Sequence, residues 1–99
     1  MMRRAAKVDA NQREIVAALR AVGATVQPLH SVGQGCPDLL AGYRNVNLLL
    51  EVKDGAKPPS ARKLTPDQSD WHAGWKGQAC LVESVDDVLR VVAKIGSKP

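Results

Sequence analysis

Aromatic side chains are scarce in this chain of 99 residues, which contains two Trp, one Tyr and no Phe. Domains that bind single-stranded RNA commonly present several aromatic rings along their strands, and the bases stack on these rings. None of the strands predicted below carries such a set of rings. The composition therefore argues against an RNA-binding stacking platform.

Cysteine is also rare, and Cys36 and Cys80 show no paired spacing. This usage favours reduced thiols over a disulfide framework. A zinc site built from both cysteines with His30 and His72 would match no common ligand spacing, so we do not expect one. We expect Cys36 to be a packing residue, because no general base that would activate it is evident.

Long apolar runs are missing as well. No segment approaches the roughly 20 consecutive apolar residues that span a bilayer. The opening stretch "MMRRAAKVDANQRE" lacks the apolar segment of a secretory signal peptide. We therefore expect a soluble, cytoplasmic protein that has no membrane partner.

What is present is the composition of an ordinary globular domain, with 44% hydrophobic and 24% charged residues. The length suits one domain, which we place over residues 1–99 with a short basic arm over 1–8. The net charge of +4 and the isoelectric point near 9.4 indicate a polyanionic partner. A basic surface without a specific partner remains an alternative.

Hydrophobic periodicity and helix-end signals predict three helices. The first spans about 10–22, with Asp9 as its N-cap and Gly23 just beyond its end. The second follows a Thr65 cap and spans about 66–76, and the last begins after a Ser84 cap.

Four strands are predicted between and after these helices, over 24–30, 38–42, 46–53 and 78–84. Pro28 assigns the first strand to a sheet edge or a bulge, because proline lacks the N–H that a central strand donates. The element order is αβββαβα. This order predicts an α/β fold in which helices flank a four-stranded mixed sheet.

Two acids bracket the most apolar part of the chain. A hairpin that turns at Arg44 and Asn45 places Asp38 directly opposite Glu51, with Cβ atoms about 4.5–5.5 Å apart. Such a pair is unfavourable unless a cation lies between the carboxylates, and Mg²⁺ prefers oxygen ligands of this kind. Lys53 shares a face with Glu51 and is suited to hold a water or to stabilise charge on a phosphate.

A simpler interpretation is that Asp38 caps a turn and that Glu51 and Lys53 end a strand in solvent. The surrounding motif favours the metal site. The stretch "GCPDLL" (35–40) followed by "EVK" (51–53) resembles the PD-(D/E)XK nuclease motif, and the missing side chain at Gly35 permits close approach of another backbone. The continuation "KLTPDQSDWHAGWKGQACLVESVDDVL" is similar to the VRR-NUC branch of that superfamily, and the similarity covers about residues 9–92.

The resemblance implies a restriction-endonuclease-like fold and a Mg²⁺ site, with Mn²⁺ as a substitute. Asp38 and Glu51 would be the metal ligands, together with the backbone carbonyl of Val52. Lys53 would position the attacking water.

Two further residues match polar positions of the family. Glu14 on the first helix would lie near the metal or the lysine, although it is also a normal solvated helix acid. Gln68 would point from the second helix towards the site, although it is also the N3 partner of a Thr65 capping box.

Other residues of the second helix have a weaker claim. His72 lies one turn after Gln68 and is within reach of the site, but we expect a surface or packing role. Trp71 and Trp75 are expected to pack this helix onto the sheet. Four cations are expected to contact the DNA backbone without reading bases: Lys57, Arg62, Lys63 and Arg13.

The resemblance predicts a Mg²⁺-dependent, structure-specific endonuclease that hydrolyses DNA phosphodiester bonds in a bacterial or phage setting. A small domain with one active site suits a homodimer that cuts branched DNA, as a Holliday-junction resolvase does. Two alternatives remain open. The first is a non-catalytic basic nucleic-acid-binding module. The second is a nuclease subunit that needs a partner protein.

Overall fold

A computed structural model describes residues 8–95 of the protein. Three helices, α1 (Gln12–Ala21), α2 (Pro66–Gly74) and α3 (Val85–Ala93), alternate with four strands, β1 (Thr25–Pro28), β2 (Leu39–Tyr43), β3 (Val46–Val52) and β4 (Ala79–Val82). A short 3₁₀ turn, Pro59–Ala61, precedes α2. The predicted order αβββαβα is confirmed. Apart from Val8, the predicted basic arm lies outside the described residues.

The four strands form one mixed sheet in the order β1-β2-β3-β4. The β1–β2 and β2–β3 pairs are antiparallel, and β3–β4 is parallel. Leu39 pairs with Leu50, which is the register that the hairpin argument predicted. Arg44 and Asn45 both have positive φ angles, 50° and 65°, as the two central residues of a type I′ turn require.

The hydrophobic core lies between one face of the sheet and the helices α1 and α3, which contact each other. Side chains alternate along β3, so Leu48, Leu50 and Val52 point into this core and Glu51 points to the opposite face. The core consists of Ile15, Leu19, Ala24, Leu39, Ala41, Leu48, Leu50, Val52, Val82, Val88 and Val92.

Helix α2 lies on the opposite face, where its side chains reach Glu51. It buries none of its nine residues. Trp71 and Trp75, which were expected to pack α2 onto the sheet, stack on each other, with centroids 4.6 Å apart and planes at 16°. Trp71 is half-buried, whereas the exposure of Trp75 does not fit that expectation. Trp75 is 47% exposed.

The start of α1 differs from the prediction. The N-cap position is Asn11 and not Asp9, and no side chain caps the helix. Asp9 instead lies 3.6 Å from the ammonium group of Lys57. The predicted end is confirmed, because Gly23 follows the helix with a φ of +98°.

Asn11 is buried at the junction of three elements. Its side-chain amide donates hydrogen bonds to the carbonyl oxygens of Lys53, at 3.1 Å, and Glu83, at 3.0 Å. These carbonyls follow β3 and β4, so one side chain ties the start of α1 to the ends of both strands. The side chain is directed at these carbonyls, and its Oδ1, the atom that would cap α1, has no hydrogen-bond partner.

We expect Asn11→Ala to lower the free energy of unfolding by about 1–3 kcal/mol, because the buried carbonyl of Lys53 loses this donor. The carbonyl of Glu83 keeps the hydrogen bond from the backbone N–H of Gly55. Urea unfolding followed by circular dichroism measures the change. The matched control is Asn47→Ala on β3, whose side chain is exposed and whose loss should cost less than about 0.5 kcal/mol. Equal effects of the two substitutions would contradict the role assigned to Asn11.

Candidate active site

The two acids meet where the sequence places them. The β2–β3 register continues from Leu39 and Leu50 to put Asp38 opposite Glu51. Asp38 accepts a hydrogen bond from the backbone N–H of Val52 at 2.7 Å, which fixes its carboxylate at the end of β3. Glu51 is only 1% exposed. The buried carboxyl group of Glu51 therefore lies beside that of Asp38, at the end of β3.

Burial raises the pKa of Glu51 from its ordinary value of 4.5 to about 8. Asp38 raises the same pKa further through a hydrogen bond and through its charge, whereas the charge of Lys53 lowers it. Asp9 contributes another small increase. Without a cation, the pair therefore favours a proton on Glu51 at neutral pH. Two carboxyl groups that cannot both be charged in the absence of a cation are suited to bind a divalent one.

Gln68 connects the lysine to the acid. Its Oε1 accepts hydrogen bonds from the ammonium group of Lys53, at 2.8 Å, and from the backbone N–H of Thr65, at 2.9 Å. Its Nε2 donates to Oε2 of Glu51 at 3.2 Å. Gln68 therefore points towards the site as the resemblance implied, and the capping box with Thr65 is also present. Helix initiation and site geometry depend on the same amide.

Gly35 determines how closely α2 approaches this site. A Cβ atom at position 35 would collide with the carbonyl group of Asp67 and would lie 2.9 Å from the backbone nitrogen of Gln68. The loop before Asp38 therefore packs backbone against backbone on the first turn of α2. The φ of +80° at Gly35 also suits glycine.

Comparison with solved structures finds a protein described as "VRR_NUC domain". It has a TM-score of 0.64 and 27% sequence identity, over 85% of this chain and 91% of the other. The VRR-NUC resemblance is confirmed. No protein-family model matches this sequence, and no curated protein matches it. The likeness supports a domain of nuclease type and agrees with the mixed sheet and its flanking helices.

The site around Asp38 and Glu51 does not include every residue proposed from the sequence. Glu14 is exposed and lines a separate cavity with Asp54, Glu83 and Asp87. Within residues 8–95, no hydrogen bond or ion pair joins Glu14 to Asp38 or Glu51. The reason is the phase of α1, which turns Ile15 and Leu19 into the core and leaves Glu14 outside.

Asp9 is the acidic residue that the start of α1 brings towards the site. Its charge acts on Glu51, and Asn11, two positions later, is bonded to the carbonyl of Lys53. The sequence analysis treated Asp9 as a helix cap and did not anticipate its ion pair with Lys57. Helix α1 begins at Gln12, so Asp9 lies before the N-cap position. No signal in the sequence distinguishes an N-cap residue from one that lies just before the helix.

The proposed DNA-contacting cations fall into two groups. Arg13 and Lys63 are exposed. Lys57 pairs with Asp9 at 3.6 Å, and Arg62 pairs with Glu83 at 3.2 Å. Arg62 is therefore used to hold the loop before α2 against the end of β4, which reduces the charge that it offers to a phosphate.

Cys36 lies near the acid pair, but its chemistry is not that of a nucleophile. Burial raises the pKa of its thiol, and the charges of Glu51 and Asp38 raise it further. Both cysteines are free thiols. Within residues 8–95, no three His, Cys, Asp or Glu side chains are grouped to hold a metal, and no helix is long and apolar enough to span a membrane.

The raised pKa of Glu51 predicts how the metal-free protein responds to pH. The folded state holds the proton more tightly than the unfolded chain, so the contribution of Glu51 to stability is complete below about pH 4.5. It declines as the pH rises and is lost above about pH 8. Glu51→Gln should remove this decline and should be more stable than wild type at pH 9, by on the order of a few kcal/mol.

Urea unfolding in EDTA at pH 5, 7 and 9 measures this response. Glu14→Gln removes an exposed carboxylate and should follow the wild-type profile. Parallel profiles for wild type and Glu51→Gln would show that burial of Glu51 does not govern the pH response.

Alanine substitutions at two glycines of one loop distinguish the cost of backbone strain from the cost of a collision between the new Cβ atom and α2. Gly33 and Gly35 both have positive φ angles, +78° and +80°, but a Cβ at Gly33 would meet no atom within 4 Å. Gly33→Ala should therefore cost about 1 kcal/mol of stability. Gly35→Ala should cost a further 1–3 kcal/mol, roughly, because α2 must move. Equal unfolding free energies for the two variants would exclude the close approach of α2.

Proposed function

We propose that this domain is a Mg²⁺-dependent endonuclease that hydrolyses DNA phosphodiester bonds and acts on branched DNA as a homodimer. The proposal depends on one observation above all. Asp38, Glu51 and Lys53 converge on one side of the sheet, and Gln68 bonds to the last two of them. Such a group of two acids and a lysine, together with the likeness to a VRR-NUC domain, supports hydrolysis over simple binding.

The residues present suit a divalent cation. The carboxylates of Asp38 and Glu51 and the backbone carbonyl of Val52 would hold it, and solvent would supply further ligands. Oε1 of Glu51 is buried without a hydrogen-bond partner. Burial raises the pKa of this carboxyl, and a bound cation would stabilise its charged form. A bound Mg²⁺ supplies Lewis-acid polarisation of the phosphate and a lower pKa for its water.

The protein's own side chains orient the reactants. Lys53 is 8% exposed, and its bond to Gln68 directs the ammonium group towards the acid pair. From there it holds the attacking water and stabilises negative charge that develops on the phosphate. Asp38 and Glu51 would hold the cation on the face of the sheet to which Lys53 and Gln68 point. The bond between Asp38 and the Val52 amide keeps that geometry rigid.

Branched DNA and a homodimer are the finer parts of the proposal. One chain supplies one acid pair, whereas symmetric cutting of two strands needs two sites related by a two-fold axis. The net charge of +4 and the exposed Arg13 and Lys63 suit binding through phosphates, which selects DNA shape over sequence.

Cleavage of an end-labelled four-way junction, beside a linear duplex of the same sequence, tests the proposal. We expect paired symmetric cuts on the junction in Mg²⁺ and none in EDTA. Lys53→Ala and Asp38→Asn should each reduce the cleavage rate by at least about 10²-fold while junction binding is retained. Lys94→Ala, an exposed lysine after α3, should cleave at the wild-type rate and controls for loss of charge.

The other outcomes discriminate between the alternatives. Equal cutting of both substrates keeps the nuclease and removes the branch specificity. A junction that is bound but not cut in Mg²⁺ or Mn²⁺ favours the non-catalytic module or a subunit that needs a partner. Sedimentation of the protein with and without the junction tests the homodimer separately.

A further inference from the structure

Helix α2 brings a second side chain to the acid pair. His72 lies one turn after Gln68, and its Nε2 is 3.6 Å from Oε1 of Glu51. The His72 side chain is 18% exposed and that of Glu51 is 1% exposed. The sequence analysis expected a surface or packing histidine, so this position is a finding of the structure.

Both facing atoms are unpaired. Nε2 of His72 and Oε1 of Glu51 are buried and have no hydrogen-bond partner. Buried polar atoms are nearly always paired in native proteins, because an unpaired one costs about 1–3 kcal/mol. Two such atoms that face each other a few tenths of an ångström beyond hydrogen-bond range indicate a contact that forms in another state of the site.

The Glu51 carboxylate is bonded to α2 on one side only. Oε2 receives the amide of Gln68, whereas Oε1 faces the imidazole. The ring is held edge-on to Trp71, with centroids 5.2 Å apart and planes at 74°. This contact restricts rotation of the imidazole and keeps Nε2 directed at the carboxylate.

We propose that His72 is a positioning residue for the metal ligand Glu51. Its Nε2–H donates to Oε1 when the cation is bound, so that Gln68 and His72 hold the carboxylate from two successive turns of α2. A direct ligand role fits less well, because residues 8–95 contain no group of three His, Cys, Asp or Glu side chains placed to hold a metal. Partners that orient a metal ligand typically contribute 10–100-fold to metal affinity. The inference rests on the proposed function.

Two substitutions separate the hydrogen bond from the bulk of the ring. His72→Phe keeps the ring and its contact with Trp71 but removes the donor. His72→Gln keeps an N–H donor close to the position of Nε2. We expect Mn²⁺ to bind about 10–100-fold more weakly to His72→Phe and with nearly wild-type affinity to His72→Gln, as measured by electron paramagnetic resonance without DNA.

Junction cleavage provides the second readout. His72→Phe should lower kcat with little change in the KM for DNA, and His72→Gln should restore most of the rate. The matched control is His30→Phe, because His30 is exposed in a cleft formed with α1 and β1. Thermal unfolding of each variant verifies that it folds, and α2 has no buried residue whose loss would prevent folding.

Each result bears on the inference. Wild-type Mn²⁺ affinity in His72→Phe would overturn it, as would equal weakening in the Phe and Gln variants. If the wild-type protein itself neither binds Mn²⁺ nor cuts DNA, the proposed function fails first and this inference fails with it. If wild type does both and His72→Phe matches it, only the inference about His72 fails.

Discussion

The repulsion between Asp38 and Glu51 is the constraint on which the rest of the site depends. A hairpin register that buries Leu50 and Val52 necessarily puts these two acids opposite each other. The neighbouring groups compensate for part of the charge, since Val52 donates its N–H to Asp38 and Gln68 donates to Glu51. The core thus holds in place two carboxyl groups that cannot both carry a charge without a cation. In this fold, hydrophobic burial provides the energy that keeps the carboxylates together.

The three helices are used in different ways. α1 and α3 supply the apolar layer, and their residues Ile15, Leu19, Val88 and Val92 are almost fully buried. α2 supplies polar side chains to the other face and buries none of its residues. One face of the sheet therefore carries the hydrophobic core, and the other face carries the polar side chains of the candidate site.

Much of this arrangement could be predicted from local signals. Turn position and apolar pattern gave the hairpin register, and the caps at Thr65 and Ser84 gave the starts of two helices. Long-range polar contacts were not predictable in this way. The amide of Asn11 finds carbonyls 42 and 72 positions away, and no local pattern specifies such partners. The place of Glu14 relative to the acid pair likewise depends on how α1 packs on the sheet, which buries Ile15 and Leu19 and leaves Glu14 exposed.

The bonding of α2 has a consequence for the stability of the domain. No residue of α2 is fully buried, and its attachment depends on the hydrogen bonds of Gln68 and on the close approach of its backbone at Gly35. Local unfolding requires least energy where few apolar contacts must be broken. The segment that opens first is then the one that carries Gln68 and His72, so the sheet with α1 and α3 can persist while the site is dismantled. A ligand that binds the assembled site would draw α2 into the cooperative unit of the fold.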